Sequence, residues 1–151
     1  MRPFFLVALL VLGLSACSSD DPVSGPGVHP DIRGSFVGLY QQTGVQAGVP
    51  DDFQCDMKVE VLDQFEGAFI ADLIFLQGHD CSTETLWSQA ASGSIDLDGN
   101  VVLAWDNSPS CNVFDGDKQF AGTLVGNVLS LTAAYECDSW VYDDTYTGNR
   151  D

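Results

Sequence analysis

Cysteine is the residue type in this chain whose chemistry depends most on its partners, and five occur among the 151 residues. Cys55, Cys81, Cys111 and Cys137 are never closer than 26 residues to one another. No CxxC pair exists, and His29 and His79 add no ligand spacing, so a zinc site is disfavoured. An even set of four in an exported chain predicts two disulfides. His79-Asp80-Cys81 places a base, a carboxylate and a thiol side by side. In an extended chain, however, neighbours point to alternating sides, and an oxidised Cys81 is no nucleophile. Neither a Gly-x-Ser-x-Gly elbow nor a His-Glu-x-x-His pair occurs. No catalytic residue is assigned, no cofactor is implied, and a non-enzymatic protein is expected. Asp96-Leu97-Asp98-Gly99-Asn100 resembles the first half of a calcium loop. The twelfth position would be Asn107 where a full loop needs Glu. Asp96, Asp98 and Asn100 are therefore read as a tight turn with only a weak claim on calcium. Asp106, Asn107, Asp115 and Asp117, and the group Asp138, Asp143 and Asp144, are looser carboxylate clusters that solvated acidic loops explain equally well.

The chemistry at the front of the chain is of another kind. Arg2 precedes an apolar run of eleven residues, Phe4 to Leu14. That is too short to cross a bilayer as a helix, which takes about 20 residues. The run ends in Leu14-Ser15-Ala16-Cys17, which resembles the lipobox of bacterial lipoproteins. The resemblance implies a signal peptide over 1–16 and a lipid-bearing Cys17, with acyl chains contributing about 0.8 kcal/mol per buried CH2. Ser18 after the cysteine resembles the pattern that sorts lipoproteins to the outer membrane, so a lipid-anchored place in the cell envelope is expected, outer membrane ahead of inner. Residues 17–33, with Ser18, Ser19, Asp20, Asp21, Pro22, Pro26 and Pro30, read as a flexible acidic tether.

Removing Arg2 with the leader leaves 4 basic against 22 acidic residues, a net charge of −18. Arg33, Lys58, Lys118 and Arg150 cannot assemble a basic patch, so nucleic-acid binding is excluded as an expectation. With 45% hydrophobic and 11% aromatic residues there is material for a core. A Debye length of about 10 Å at 0.1 M salt means that such an acidic surface suits a saline habitat or a cationic partner.

The elements that would position these groups are strands. Period-two alternation recurs, and no long stretch has helical periodicity. The alternation predicts strands over 34–41, 54–62, 65–76, 86–97, 101–105, 120–125, 128–136 and a last one carrying Trp140, Tyr142 and Tyr146 on one side. Asp98-Gly99 and Gly126-Asn127 are hairpin signals. Residues 64–76 and 119–131 echo each other weakly, a likeness read as shared hairpin grammar rather than duplication. Followed as an up-and-down meander, the chain has short turns at 63–64, 98–99 and 126–127 at one end. The longer connections 43–53, 78–84, 107–117 and 137–138 fall at the other. All four cysteines then share the long-loop end, which pairs Cys55 with Cys81 and Cys111 with Cys137. The result is an all-β, eight-stranded antiparallel up-and-down barrel over 34–151, expected as a monomer.

With its tether, its opening Gly34-Ser35-Phe36 and its eight-strand meander, the chain resembles the lipocalin-like small barrels, some of which are bacterial lipoproteins. Arg150 is the candidate for the arginine that closes such barrels. The resemblance implies a cup for an apolar small molecule, lined by inward residues such as Phe36, Tyr40, Trp87, Trp105, Trp140 and Tyr142. A non-enzymatic, membrane-anchored binding module follows, holding an apolar small molecule or docking an envelope protein at a disulfide-braced rim. Two alternatives stand beside it. Ala91-Ser92-Gly93, Asp98-Gly99 and Trp105 resemble a stretch of the lysozyme-inhibiting bacterial lipoproteins. A structural envelope protein with a filled barrel is the other.

Overall fold

A computed structural model describes residues 27–76, 78–81, 87–105, 118–137 and 139–151. The side chains of Trp87, Trp105, Lys118 and Cys137 lie outside that description. Eight strands follow in order: β1 (Gly34–Gln46), β2 (Val49–Phe65), β3 (Ala68–Phe75), β4 (Trp87–Ile95), β5 (Asn100–Trp105), β6 (Lys118–Val125), β7 (Val128–Cys137) and β8 (Trp140–Arg150). Each pairs antiparallel with its sequence neighbour, and β1 also pairs with β8, closing the barrel. No helix occurs among the described residues. An up-and-down barrel of eight strands is the architecture expected from the alternation, and closure removes the edges that an open sheet would expose.

Alternation determines what fills it. Phe36 and Tyr40 of β1, Cys55 to Val61 at odd positions of β2, Phe69 to Phe75 of β3, and Leu129 and Leu131 of β7 are all buried. Their intervening neighbours face outward. At the barrel seam Tyr146 Oη donates to the Phe36 carbonyl at 2.7 Å, tying β8 to β1 from inside.

Several boundaries differ from the expectation. The connection at 43–53 is no loop: β1 and β2 continue to a two-residue turn at Ala47-Gly48, with φ of 50° and 82°. The turn expected at 63–64 lies at Glu66-Gly67, φ 48° and 83°, because a bulge between Val61 and Asp63 lengthens β2. Positive φ at both positions is the type I′ geometry that matches strand twist. Ala and Glu are unusual first residues for it, which is why neither turn announces itself. Asp98-Gly99 is not a two-residue turn either. Only Gly99 has positive φ (84°), within a loop closed by Asp96 and Asn100. The echo between 64–76 and 119–131 is not structural equivalence. Gln64 to Gly67 ends a strand and turns, whereas Gln119 to Gly122 runs through the middle of β6.

Residues 27–33, read from composition as the end of the tether, cross the short-turn end as a strap. Ile32 is fully buried in the core. The Gln64 side chain accepts from Ile32 N (3.0 Å) and donates to the Pro30 carbonyl (2.9 Å). His29 Nδ1 lies 2.7 Å from the Ile95 carbonyl. Arg150, inside β8, donates to the Arg33 and Asp31 carbonyls (3.0 and 2.7 Å) with its guanidinium 5.0 Å from the centre of the Phe36 ring. Strap, Phe36 and Arg150 together close this end of the barrel.

Candidate ligand-binding site at the rim

The other end carries the β1–β2 and β7–β8 turns and the connections after β3 and β5. Here the inner wall changes character. Going up β1, Tyr40 is followed by Gln42 and Gly44; going down β8, Trp140 is followed by Tyr142 and Asp144. The β1–β8 register opposes Tyr40 to Tyr146, Gln42 to Asp144 and Gly44 to Tyr142. On the far side, β7 places Tyr135 opposite Tyr142.

Asp144 is 1% exposed, the one buried charged residue among those described. Tyr40 Oη donates to its Oδ2 at 2.7 Å. Gln42 Nε2 lies 2.7 Å from Tyr135 Oη, 3.1 Å from Asp144 Oδ1 and 3.1 Å from Tyr40 Oη. Its two N–H groups serve two of these at a time. A buried carboxylate needs such donors, since burying one without them is prohibitive. Burial raises the Tyr40 hydroxyl far above its ordinary pKa, and the adjacent Asp144 charge and hydrogen bond raise it further. Tyr135 is raised likewise, by burial first and Asp144 second. Both phenols therefore stay protonated and serve as donors.

Above this polar node lies a run of rings. Tyr142 stacks on Tyr135 (centroids 5.2 Å, planes 27° apart) and on Trp140 (5.9 Å, 15°). Gly44 makes room, because any side chain there would run into the Tyr142 ring. Tyr40 also meets Phe75 edge-on at 5.4 Å below the node, and Phe53 at 6.4 Å at the level of Gln42. The arrangement offers half-buried aromatic surface near the rim and hydrogen-bonding groups just beneath it, a common composition for small-molecule sites.

The rim is braced as the strand directions predict. Cys55 and Cys81 form a disulfide with Cα atoms 5.4 Å apart. Beyond β3 the chain stays alongside β2 toward the rim, with Leu76 N donating to the Asp56 carbonyl (2.8 Å) and Asp80 N to that of Gln54 (3.0 Å). The expected Cys111–Cys137 pairing lies outside the described residues. His79 and Asp80 sit on this exposed segment, with His79 Nε2 3.9 Å from Asp56 Oδ1, and Asp80 Oδ2 accepts from Gln54 N.

Of the residues expected to line a cup, Tyr40, Trp140 and Tyr142 meet at the rim end. Phe36 lies at the opposite end, under Arg150. Trp87 opposes Phe75 and Trp105 opposes Lys118 in register, without further description. The carboxylate group Asp138, Asp143 and Asp144 is not one cluster: Asp143 faces solvent and Asp144 the interior. Asp106 to Asp117 and Asp138 lie outside the described residues. Asp96 is spent on its own turn, its Oδ1 accepting from Asp98 N and Asn100 N and its Oδ2 from the Asn100 amide. These hydrogen bonds lower its pKa. No group of three metal-ligating side chains occurs among the described residues.

Sequence reading did not single out Gln42 or Tyr135, and it placed Asp144 in a solvated acidic cluster where the structure buries it. The signal for Asp144 was present, since it sits between Tyr142 and Tyr146 with the same parity. Compared with known proteins, the chain matches no family model and no curated sequence.

Proposed function

We propose that this chain is a lipid-anchored envelope protein whose barrel is a non-enzymatic binding module, seating an apolar small molecule at the rim. The observation that carries this reading is the stacked run Trp140–Tyr142–Tyr135 above the buried Asp144–Tyr40–Gln42 node, at the end opposite the strap. Rings at that position give an apolar ligand area to cover, and the node beneath gives one polar group of that ligand a partner. The neutral probe N-phenyl-1-naphthylamine tests the site without matching any particular ligand. The protein is expected to enhance its emission saturably, and Tyr142→Ala together with Trp140→Ala is expected to weaken binding by about tenfold or more. Undiminished binding by a folded double variant would move the site elsewhere.

A filled structural barrel is the second reading. It is favoured by the buried side chains that occupy the interior from Ile32 up to Tyr40 and Ala133. That reading expects no saturable probe binding at all.

A further inference from the structure

The strap end carries exposed apolar side chains at the tip of every hairpin. Phe65 precedes the β2–β3 turn, Leu97 lies within the β4–β5 turn, and Val125 precedes the β6–β7 turn; they are 74%, 54% and 69% exposed. Val28, on the strap, is 58% exposed. Eight of the twelve large exposed apolar residues among those described lie in the strap or within four residues of these three turns. Hairpin tips facing only water are ordinarily polar, and such a concentration at one end marks an interaction surface.

The path of the chain indicates what covers it. His29 packs against Gly67 and bonds to the Ile95 carbonyl, so the strap enters between the first two tips. The ten Cα–Cα steps from Cys17 to Gly27 reach at most about 36 Å when fully extended. Resting on the reading of Cys17 as the lipid-bearing residue, we infer that the strap end of the barrel sits on the bilayer. Phe65, Leu97 and Val125 enter the headgroup–acyl boundary, and the rim site points away from the membrane. Anchoring supplies the high effective concentration that lets three small contacts act together. Asp63, Glu66, Asp96, Asp98 and Asp151 are exposed at the same end. The surface that fits is accordingly a zwitterionic phospholipid one, which does not repel these carboxylates.

Bromine-labelled phosphatidylcholine vesicles carrying the full acylated chain test this, with a tryptophan reporter at either end. Emission added by Phe65→Trp is expected to fall by about twofold in brominated relative to unlabelled vesicles, and emission added by Val49→Trp at the rim to stay unchanged. Flotation of the chain beside Cys17→Ser reads the anchor separately. A chain that floats while both reporters stay unquenched, or are quenched equally, overturns the seating and leaves the anchor standing. A chain that does not float removes the anchor and the seating together. Stronger quenching on anionic than on zwitterionic vesicles also overturns the inference.

Discussion

Asp143 and Asp144 are adjacent, chemically identical and opposite in consequence. Asp144 faces inward to donors that include Tyr40 and Gln42, and Asp143 faces water. Asp144→Asn places an NH2 group where Tyr40 or Gln42 now donates. It should cost about 1–3 kcal/mol in urea unfolding, while Asp143→Asn should stay within about 0.5 kcal/mol. Equal effects would mean the node is not as described. The buried phenols give a second test. Tyr40, Tyr135 and Tyr146 all have raised pKa values, burial being the first cause in each. A raised folded value means their stabilisation is complete below the unfolded phenol value near 10 and is lost as pH rises beyond it. Ultraviolet titration should show these three tyrosines ionising only together with alkaline unfolding. At the acid end Asp31, held to about 2 chiefly by the Arg33 side chain, works in the opposite sense. Its small, solvent-screened contribution is present above about pH 4 and fades toward pH 2. At this scale the sequence was half legible. Parity assigned Phe36, Tyr40, Phe69, Phe75 and Tyr146 to the inner face correctly, but it put Phe65 there too, and the bulge between Val61 and Asp63 leaves Phe65 exposed instead. Composition grouped Asp144 with its acidic neighbours, and only the closed seam shows which carboxylate is inside.

Among the elements, the hairpins show where sequence reading succeeds and where it fails. Strand order and direction follow from alternation, and they suffice to place Cys55 beside Cys81, where the structure has the disulfide. Replacing both cysteines by Ser should lower stability by about 2–4 kcal/mol, because the bridge restricts a 26-residue separation in the unfolded chain. An unchanged denaturation midpoint would show the rim to be braced by other means. Strand lengths were less legible. The polar, aspartate-rich stretch around residues 43–53 looks like a loop, yet β1 and β2 continue through it, because the two strands pair with each other out to Gln46 and Val49. Turns at Ala47-Gly48 and Glu66-Gly67 carry only one glycine each and no Asn or Asp, so their signals were weak. The strap was hidden for a related reason. One buried side chain, Ile32, and one glutamine, Gln64, pull a proline-containing tail onto the barrel. Ile32→Ala should therefore cost about 2–5 kcal/mol, read from thermal or urea unfolding.

For the whole molecule, the net charge of −17 and the one-sided placement of strap and rim bear on how the protein works rather than on how it folds. Self-repulsion at this charge is screened by salt, so 1 M sodium chloride should raise the melting temperature. A salt-independent melting temperature would remove that explanation of the acidity. The central claim, however, is that the rim holds a small molecule. Native mass spectrometry of the protein purified from its native source, without refolding, measures this most directly. The account predicts an adduct of small-molecule mass that is lost on denaturation and is absent when Tyr142 and Trp140 are both replaced by Ala. A bare protein mass, in wild type and variant alike, would contradict it and leave the filled structural barrel as the better description.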